Sequence, residues 1–320
     1  MENYLSWLET EIRKQRFGER PKSLYDPLHY IMSLGGKRLR PLLTLLAYSI
    51  YRKDVEQCVP YAAAVEAFHN FTLMHDDIMD KAPLRRGKAT VHEKWNINTA
   101  ILAGDVMLVK VYDLFLGLEN NKLKDVLSLF NACAAGVCEG QQWDMEFESK
   151  RSVTEAQYIE MIRLKTAVLL GFSLELGAVL GDAPTSDRKL LRDAGVNLGI
   201  GFQLKDDLLD VYADKKKFGK QVGGDIIANK KTFLLIKAAQ RAKGADKKEL
   251  HRWLSARKFD KRKKVAAVSA LYDRLGIQSL TEKKIEEYLQ KSLDGLRGLT
   301  AAENAKPLLE FVRDQARRQR

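Results

Sequence analysis

Two acidic pentads of one form, Asp76-Asp77-Ile78-Met79-Asp80 and Asp206-Asp207-Leu208-Leu209-Asp210, each lie in an otherwise apolar segment. On a helix, positions i and i+4 share a face and i+1 lies about 100° round it, so each pentad stacks two carboxylates on one line with a third beside them. Like charges set in apolar walls repel and raise one another's pKa, so they stay ionised only with cations among them. Donors that are all carboxylate oxygen ask for a hard divalent metal such as Mg²⁺.

The rest of the chain repeats helical spacing. Leu39, Leu42, Leu43 and Leu46 fall on one face, and Val106, Leu108, Val109, Tyr112 and Leu116 continue the pattern further on. No convincing run of strands interrupts it. Breaks are sparse: Gly35-Gly36, Pro60, Pro83 with Gly87, Gly117 to Lys122, Gly181 to Thr185, Gly219 to Gly224, Gly244 to Asp246, and Gly276. They delimit ten to thirteen helices, and no low-complexity linker divides the 320 residues, so one all-α domain over 1–320 is expected.

Charge and cysteine usage exclude several classes. The net charge of +12 would suit a nucleic-acid binder, but much of the excess lies in Arg241 to Lys264 and Arg313 to Arg320. There it reads as the solvated faces of C-terminal helices and a basic tail, with no nucleic-acid signature beside it. Cys58, Cys133 and Cys138 show no metal spacing, and an odd number is unlike a secreted disulfide framework, so a reducing cytoplasm is expected. The longest apolar runs fall short of the roughly 18 uncharged residues of a membrane span.

Basic residues accompany both pentads. Gly35-Gly36-Lys37-Arg38-Leu39-Arg40-Pro41 precedes the first and Arg85-Arg86-Gly87 follows it, while Lys165-Thr166, Gly219-Lys220 and Lys230 bracket the second. A carboxylate cage with Mg²⁺, fringed by Arg and Lys, complements a diphosphate: the metal bridges carboxylate and phosphate oxygens and the cations take the remaining charge. Singly, each piece is a solvated helix face or a turn, with Pro41 at the first helical position. Their ordered conjunction is what chance seldom supplies.

In that order GGKRLRP, DDIMD with its RRG, GQQWD from Gly140, Lys165-Thr166, GFQ before the second pentad, and Gly219-Lys220 through Asp225 resemble the trans-isoprenyl diphosphate synthases. This family includes the farnesyl and geranylgeranyl diphosphate synthases. The likeness runs from Gly35 to Thr232, and it departs from the family at Asn229, where a glycine is usual, and at Phe233-Leu234, where a Leu-Pro-like pair is usual. It implies an orthogonal helical bundle of the isoprenoid synthase fold around a deep central cavity, three Mg²⁺ ions and a homodimer. The implied reaction condenses isopentenyl diphosphate with dimethylallyl, geranyl or farnesyl diphosphate by ionisation, condensation and elimination.

Carried over by motif, the resemblance makes Asp76 and Asp80 ligands of two Mg²⁺ ions, with Asp77 beside them, and Asp206 the holder of the third, with Asp207 and Asp210 in support. Arg85, Lys165, Lys220 and Lys230 resemble the grip on the allylic diphosphate. Lys37, Arg40, His69 and Arg86 resemble the metal-free isopentenyl diphosphate pocket. Gln141 and Asp144 look like residues that orient the first metal wall. Thr166 and Gln203 would steady the carbocation, Phe202 would pack near the isopentenyl group, and His75 is read as a structural hydrogen bonder.

Product length should follow from the cavity floor. Phe71 and Phe68 precede Asp76 by five and eight positions, so on a helix they lie roughly 7 and 12 Å down its axis. Within the family an aromatic at the first position resembles short-chain enzymes; Thr72 leans towards geranylgeranyl and Phe68 towards farnesyl. A longer-chain polyprenyl synthase is one rival. A class I terpene cyclase is another, but GGKRLRP and RRG tell against it.

Overall fold

The computed structural model describes residues 2–213 and 223–317. Among them the chain is almost wholly helical, with sixteen α-helices rather than the ten to thirteen expected. The surplus comes from short pieces such as α5 (Val91–Lys94) and α11 (Gly224–Ala228), too brief to leave a period in the sequence. The chain clusters into two compact units, and four of the five boundaries between them fall inside helices.

Unit 1 comprises Met1–Ala132, Phe172–Arg192 and Leu299–Leu308. It holds α1 (Glu2–Lys14), α2 (Lys22–Ser33), α3 (Leu39–Tyr51), α4 (Val59–Met79), a hairpin of β1 (Leu84–Arg85) and β2 (Lys88–Ala89), then α5 and α6 (Ile97–Phe115). α4 is the buried axis. Its Ala62, Ala63, Ala64, Val65, Ala67 and Phe68 are at most 1% exposed, and small side chains let α3 and α6 lie close on either side. Asn96 starts α6 by accepting the Thr99 N–H at 2.8 Å. α3 starts on Arg38 in a left-handed conformation (φ 47), so Pro41 sits at its third position, not its first.

Unit 2 comprises Cys133–Gly171, Asp193–Gly298 and Leu309–Arg320. Its helices are the later part of α7 (Asn120–Ser149), α8 (Glu155–Ile162), parts of α9 (Val168–Leu180) and α10 (Thr185–Tyr212), α11, α12 (Phe233–Arg241), α13 (Gly244–Ser255), α14 (Lys261–Arg274), α15 (Ile277–Arg297) and most of α16 (Lys306–Arg317). A capping box of Thr154 and Gln157 opens α8. α8 then runs into a π-helical turn, Arg163–Ala167. Gly140 on α7 lies against this turn, where a Cβ would collide with the Lys165 backbone. Val211, Leu234, Val268, Leu271 and Tyr272 belong to a core beneath α11, α12 and α14. Among the described residues no helix is long and apolar enough to cross a membrane.

Candidate active site

The first acidic cluster closes α4. Asp77 faces inward at 2% exposure, Asp76 is half-buried, and Asp80 caps the helix in solvent. The hairpin then returns Arg85 onto them. Its Nε donates to both Asp77 oxygens at 2.9 and 2.8 Å, and its Nη2 lies 2.7 Å from Asp77 Oδ1 and 3.6 Å from Asp76 Oδ2. Burial pushes the Asp77 carboxyl up, and Arg85 holds it back.

Beside this pair sits a basic corner. Arg40 Nη1 donates to His69 Nε2 at 3.1 Å, and Arg86 donates to the Gly35 carbonyl while its guanidinium packs over Gly36. Enclosure, followed by Arg40, Arg86, Arg85 and Arg38, pushes the His69 pKa well below its ordinary value, so the ring stays neutral. Lys37 is exposed at the edge. Arg38, with no role in the sequence reading, turns inward to Glu66 Oε1 (2.7 Å) and Glu9 Oε1 (2.8 Å), pinning the glycine loop that carries Lys37 and Arg40.

Further down α4, the Phe71 ring is 5.6 Å from Phe68 and 4.8 Å from His75. Phe68 is buried edge-on against Phe130 at 4.9 Å. Thr72 Oγ1 donates to the His69 carbonyl at 2.8 Å, and His75 Nε2 meets the Ile101 carbonyl at 3.2 Å, the structural bond expected of it. A side chain at Gly104 would collide with that imidazole.

The second cluster lies on α10. Asp206 is exposed, Asp207 is 5% exposed and Asp210 is half-buried. Asp207 takes a hydrogen bond from the Tyr158 hydroxyl and another from Gln203 Nε2 at 2.9 Å; Gln203 Oε1 in turn accepts from Thr166 Oγ1 at 3.0 Å. The π-helical turn is what presents Lys165 and Thr166, a deformation often found at functional sites. Lys165 Nζ is 2.7 Å from Asp144 Oδ2 and Lys230 Nζ is 3.6 Å from it, whereas Lys231 donates to the Glu148 carbonyl. Phe202 is half-buried, and Gln141 Nε2 is buried with no acceptor among the described residues. Lys220 lies outside the described residues.

Asp225 joins this cluster from α11, its N–H donating to Asp210 Oδ2 at 3.0 Å. Burial pushes the Asp207 carboxyl up to about 6 despite Tyr158 and Lys230. Burial, then Asp207 and Asp210, pushes Asp225 up to about 7. Burial alone would raise Asp144 too, but Lys230 and Lys165 bring it below its ordinary value.

Both donor sets fit a hard divalent cation. All their ligand atoms are carboxylate oxygens, and the repulsion between Asp207 and Asp225 is what such an ion relieves. Among the described residues no three such groups are gathered as a ligand set. Asp225 was read as the end of the Gly219-Lys220 motif but given no role, and Tyr158 escaped the sequence reading. Asp225 closes the glycine-rich stretch from Gly219 and was legible there; Tyr158 is one phenol in EAQYIEMI and carries no such signal.

Comparison with known proteins places this geometry. The profile of the polyprenyl synthetase family matches residues 21–272. The chain belongs to the polyprenyl synthetase family. It is 40% identical over 249 residues to the short chain isoprenyl diphosphate synthase of Methanocaldococcus jannaschii, covering 78% of this chain and 75% of that protein. It is 42% identical over 227 residues to the geranylgeranyl diphosphate synthase of Methanosarcina mazei, covering 69% of each. A crystal structure of geranylgeranyl pyrophosphate synthase superposes with TM-score 0.92 at 41% identity, covering 99% of this chain and 97% of that one. Another, the polyprenyl synthase of Caulobacter crescentus complexed with calcium and isoprenyl diphosphate, gives 0.86 at 29% identity, covering 99% and 95%. The all-α isoprenoid synthase fold expected of a polyprenyl synthetase is thus the observed one.

Proposed function

We propose that the chain, acting as one isoprenoid synthase domain, joins isopentenyl diphosphate to an allylic diphosphate and releases a farnesyl or geranylgeranyl diphosphate. As a polyprenyl synthetase resembling short-chain relatives, it transfers prenyl groups. Arg85, Lys165, Lys220 and Lys230 bind the allylic diphosphate and stabilise the charge that grows on it as the C–O bond ionises. Mg²⁺, two ions at Asp76 and Asp80 and one at Asp206, supplies Lewis-acid stabilisation of the leaving diphosphate when bound. Thr166 and Gln203 turn oxygen atoms towards the allylic cation. Lys37, Arg40, Arg86 and neutral His69 hold isopentenyl diphosphate while its double bond attacks. The proton lost from C2 of the isopentenyl unit, whose electron pair becomes the new double bond, goes to the departed diphosphate, and Phe68, Phe71 and Thr72 limit chain growth.

The observation that carries the reading is the basic corner of Arg40, His69 and Arg86 next to the metal-wall Arg85. It supports a second, metal-free diphosphate pocket, which a terpene cyclase does not need. Labelled isopentenyl diphosphate, an allylic diphosphate and Mg²⁺ should give label extractable into organic solvent; label left in water overturns the reading. Phe68→Ala with Phe71→Ala should lengthen the product, and an unchanged chromatogram would remove the floor argument. A homodimer is supported by an exposed apolar face on α6, where Ile101, Leu102 and Val109 are 41%, 58% and 58% accessible. Three free cysteines support a reducing cytoplasm.

A further inference from the structure

Lys264 was expected on a solvated helix face, but it has no accessible surface. Asp260 caps α14 by accepting the Lys263 N–H at 2.9 Å, and the first turn that follows carries Lys264 inward. Its ammonium is held by neutral groups: it donates to the Ile227 carbonyl at 3.2 Å and to Asn229 Oδ1 at 2.6 Å, and lies 4.2 Å from the Phe259 ring centroid. Burial pushes its pKa down. Among the described residues no carboxylate lies within ion-pair distance of it, so its bonds to Ile227 and Asn229 are what fix the ammonium.

What it holds is a left-handed turn. Asn229 closes α11 at φ 55, a conformation that glycine takes freely and a side chain resists. Its side chain is fixed at both ends, since Oδ1 accepts from Lys264 and Nδ2 donates to the Leu254 carbonyl at 3.1 Å on α13. Immediately after it the Lys230 N–H donates to the Asp225 carbonyl at 2.9 Å, and the Thr232 N–H to the Lys230 carbonyl at 2.9 Å. The turn therefore sets where Asp225 and Lys230 stand, and Asp225, Asn229, Lys230 and Lys264 line one small cavity.

We propose that Lys264 is a positioning residue: by locking Asn229 in its left-handed conformation it fixes Lys230 and Asp225 on the wall of the second acidic cluster. This rests on reading Lys230 as a ligand of the allylic diphosphate. The pair is a local substitute for glycine, with Asn229 bearing the conformational cost and Lys264 offsetting it.

The test is a cycle of Lys264→Met, Asn229→Gly and the double variant, with Lys230→Ala in parallel. KM is measured separately for each substrate, and amide exchange is followed over residues 223–232. Lys264→Met should raise KM for the allylic diphosphate about tenfold, leave KM for isopentenyl diphosphate unchanged and speed exchange at the Lys230 amide. The double variant should recover most of both losses, because glycine needs no lock. A Lys264→Met protein that exchanges and binds like the parent overturns the proposal, and so does a double variant no better than Lys264→Met alone. If Lys264→Met does not fold, recovery of folding in the double variant supports the lock and its absence overturns it. An unchanged KM in Lys230→Ala would reject the reading of Lys230, while amide exchange would still decide the lock.

Discussion

The two acidic clusters have the same sequence form and different electrostatics. In each, the middle aspartate is buried and its outer neighbours reach towards solvent. Asp77 is held by a cation, Arg85, on both oxygens. Asp207 is held by neutral donors, Tyr158 and Gln203, and has a half-buried acidic neighbour in Asp225. The buried carboxylate of the first cluster thus has a cation bonded to both oxygens, whereas that of the second has neutral donors on its oxygens and feels Lys230 only through space. A motif fixes carboxylate spacing on a helix, and only its neighbours decide how much charge the site tolerates when empty.

The largest effect should come from removing the outer carboxylates. Asp76→Ala and Asp206→Ala are each expected to lower kcat about 10³-fold in the extraction assay, as the proposed metal-binding roles of both require. A large loss in one and none in the other would break the claim that the clusters are partners.

Next comes the counter-charge. Arg85→Met leaves Asp77 buried and unpaired, which should cost about 3–5 kcal/mol of unfolding free energy in urea titrations, even without Mg²⁺. If stability is unchanged, the first cluster is not self-compensated and the contrast fails.

The third test uses pH. Burial, with Asp207 and Asp210, pushes the Asp225 carboxyl up to about 7, above its unfolded value, so the stability it lends is full at low pH and is lost as pH rises through that range. In EDTA, Asp225→Asn should therefore change little near pH 4 and stabilise the protein at pH 8, by on the order of 3 kcal/mol. Thermal melts at the two pH values check this, and added Mg²⁺ should reverse the advantage. Equal gains at both pH values would exclude charge repulsion as the cause.

Much of this was legible in the sequence. Leu42, Leu43 and Leu46 are core as their spacing predicted, and the basic corner follows from GGKRLRP and RRG. The same periodicity misjudged α6: Val109 and Leu116 recur at helical spacing but are 58% and 60% exposed, while Met107, Val111 and Phe115 face the core. Period marks a helix, and it cannot choose between two apolar faces. Lys264 was illegible for a related reason. A lysine in KRKK reads as solvated by composition, and its burial depends on Asn229, thirty-five residues earlier in the chain.

The smallest effect isolates one hydroxyl. Tyr158 is 1% exposed and its O–H donates to Asp207 Oδ2, a bond that lowers the carboxyl's pKa against the stronger effect of burial. Tyr158→Phe removes that donor with little change of shape, leaving Gln203 as the bonded donor on the other oxygen. Stability should fall by about 1–2 kcal/mol. The Asp207 pKa should move further above about 6, so the carboxylate form needed beside a metal becomes scarcer at neutral pH and the acid limb of kcat/KM shifts upward. The first cluster offers no equivalent, since Arg85 keeps its charge throughout that range. A pH profile unmoved by Tyr158→Phe would mean that Asp207 is ionised whatever its donors, and the electrostatic difference between the clusters would then rest on Asp225 alone.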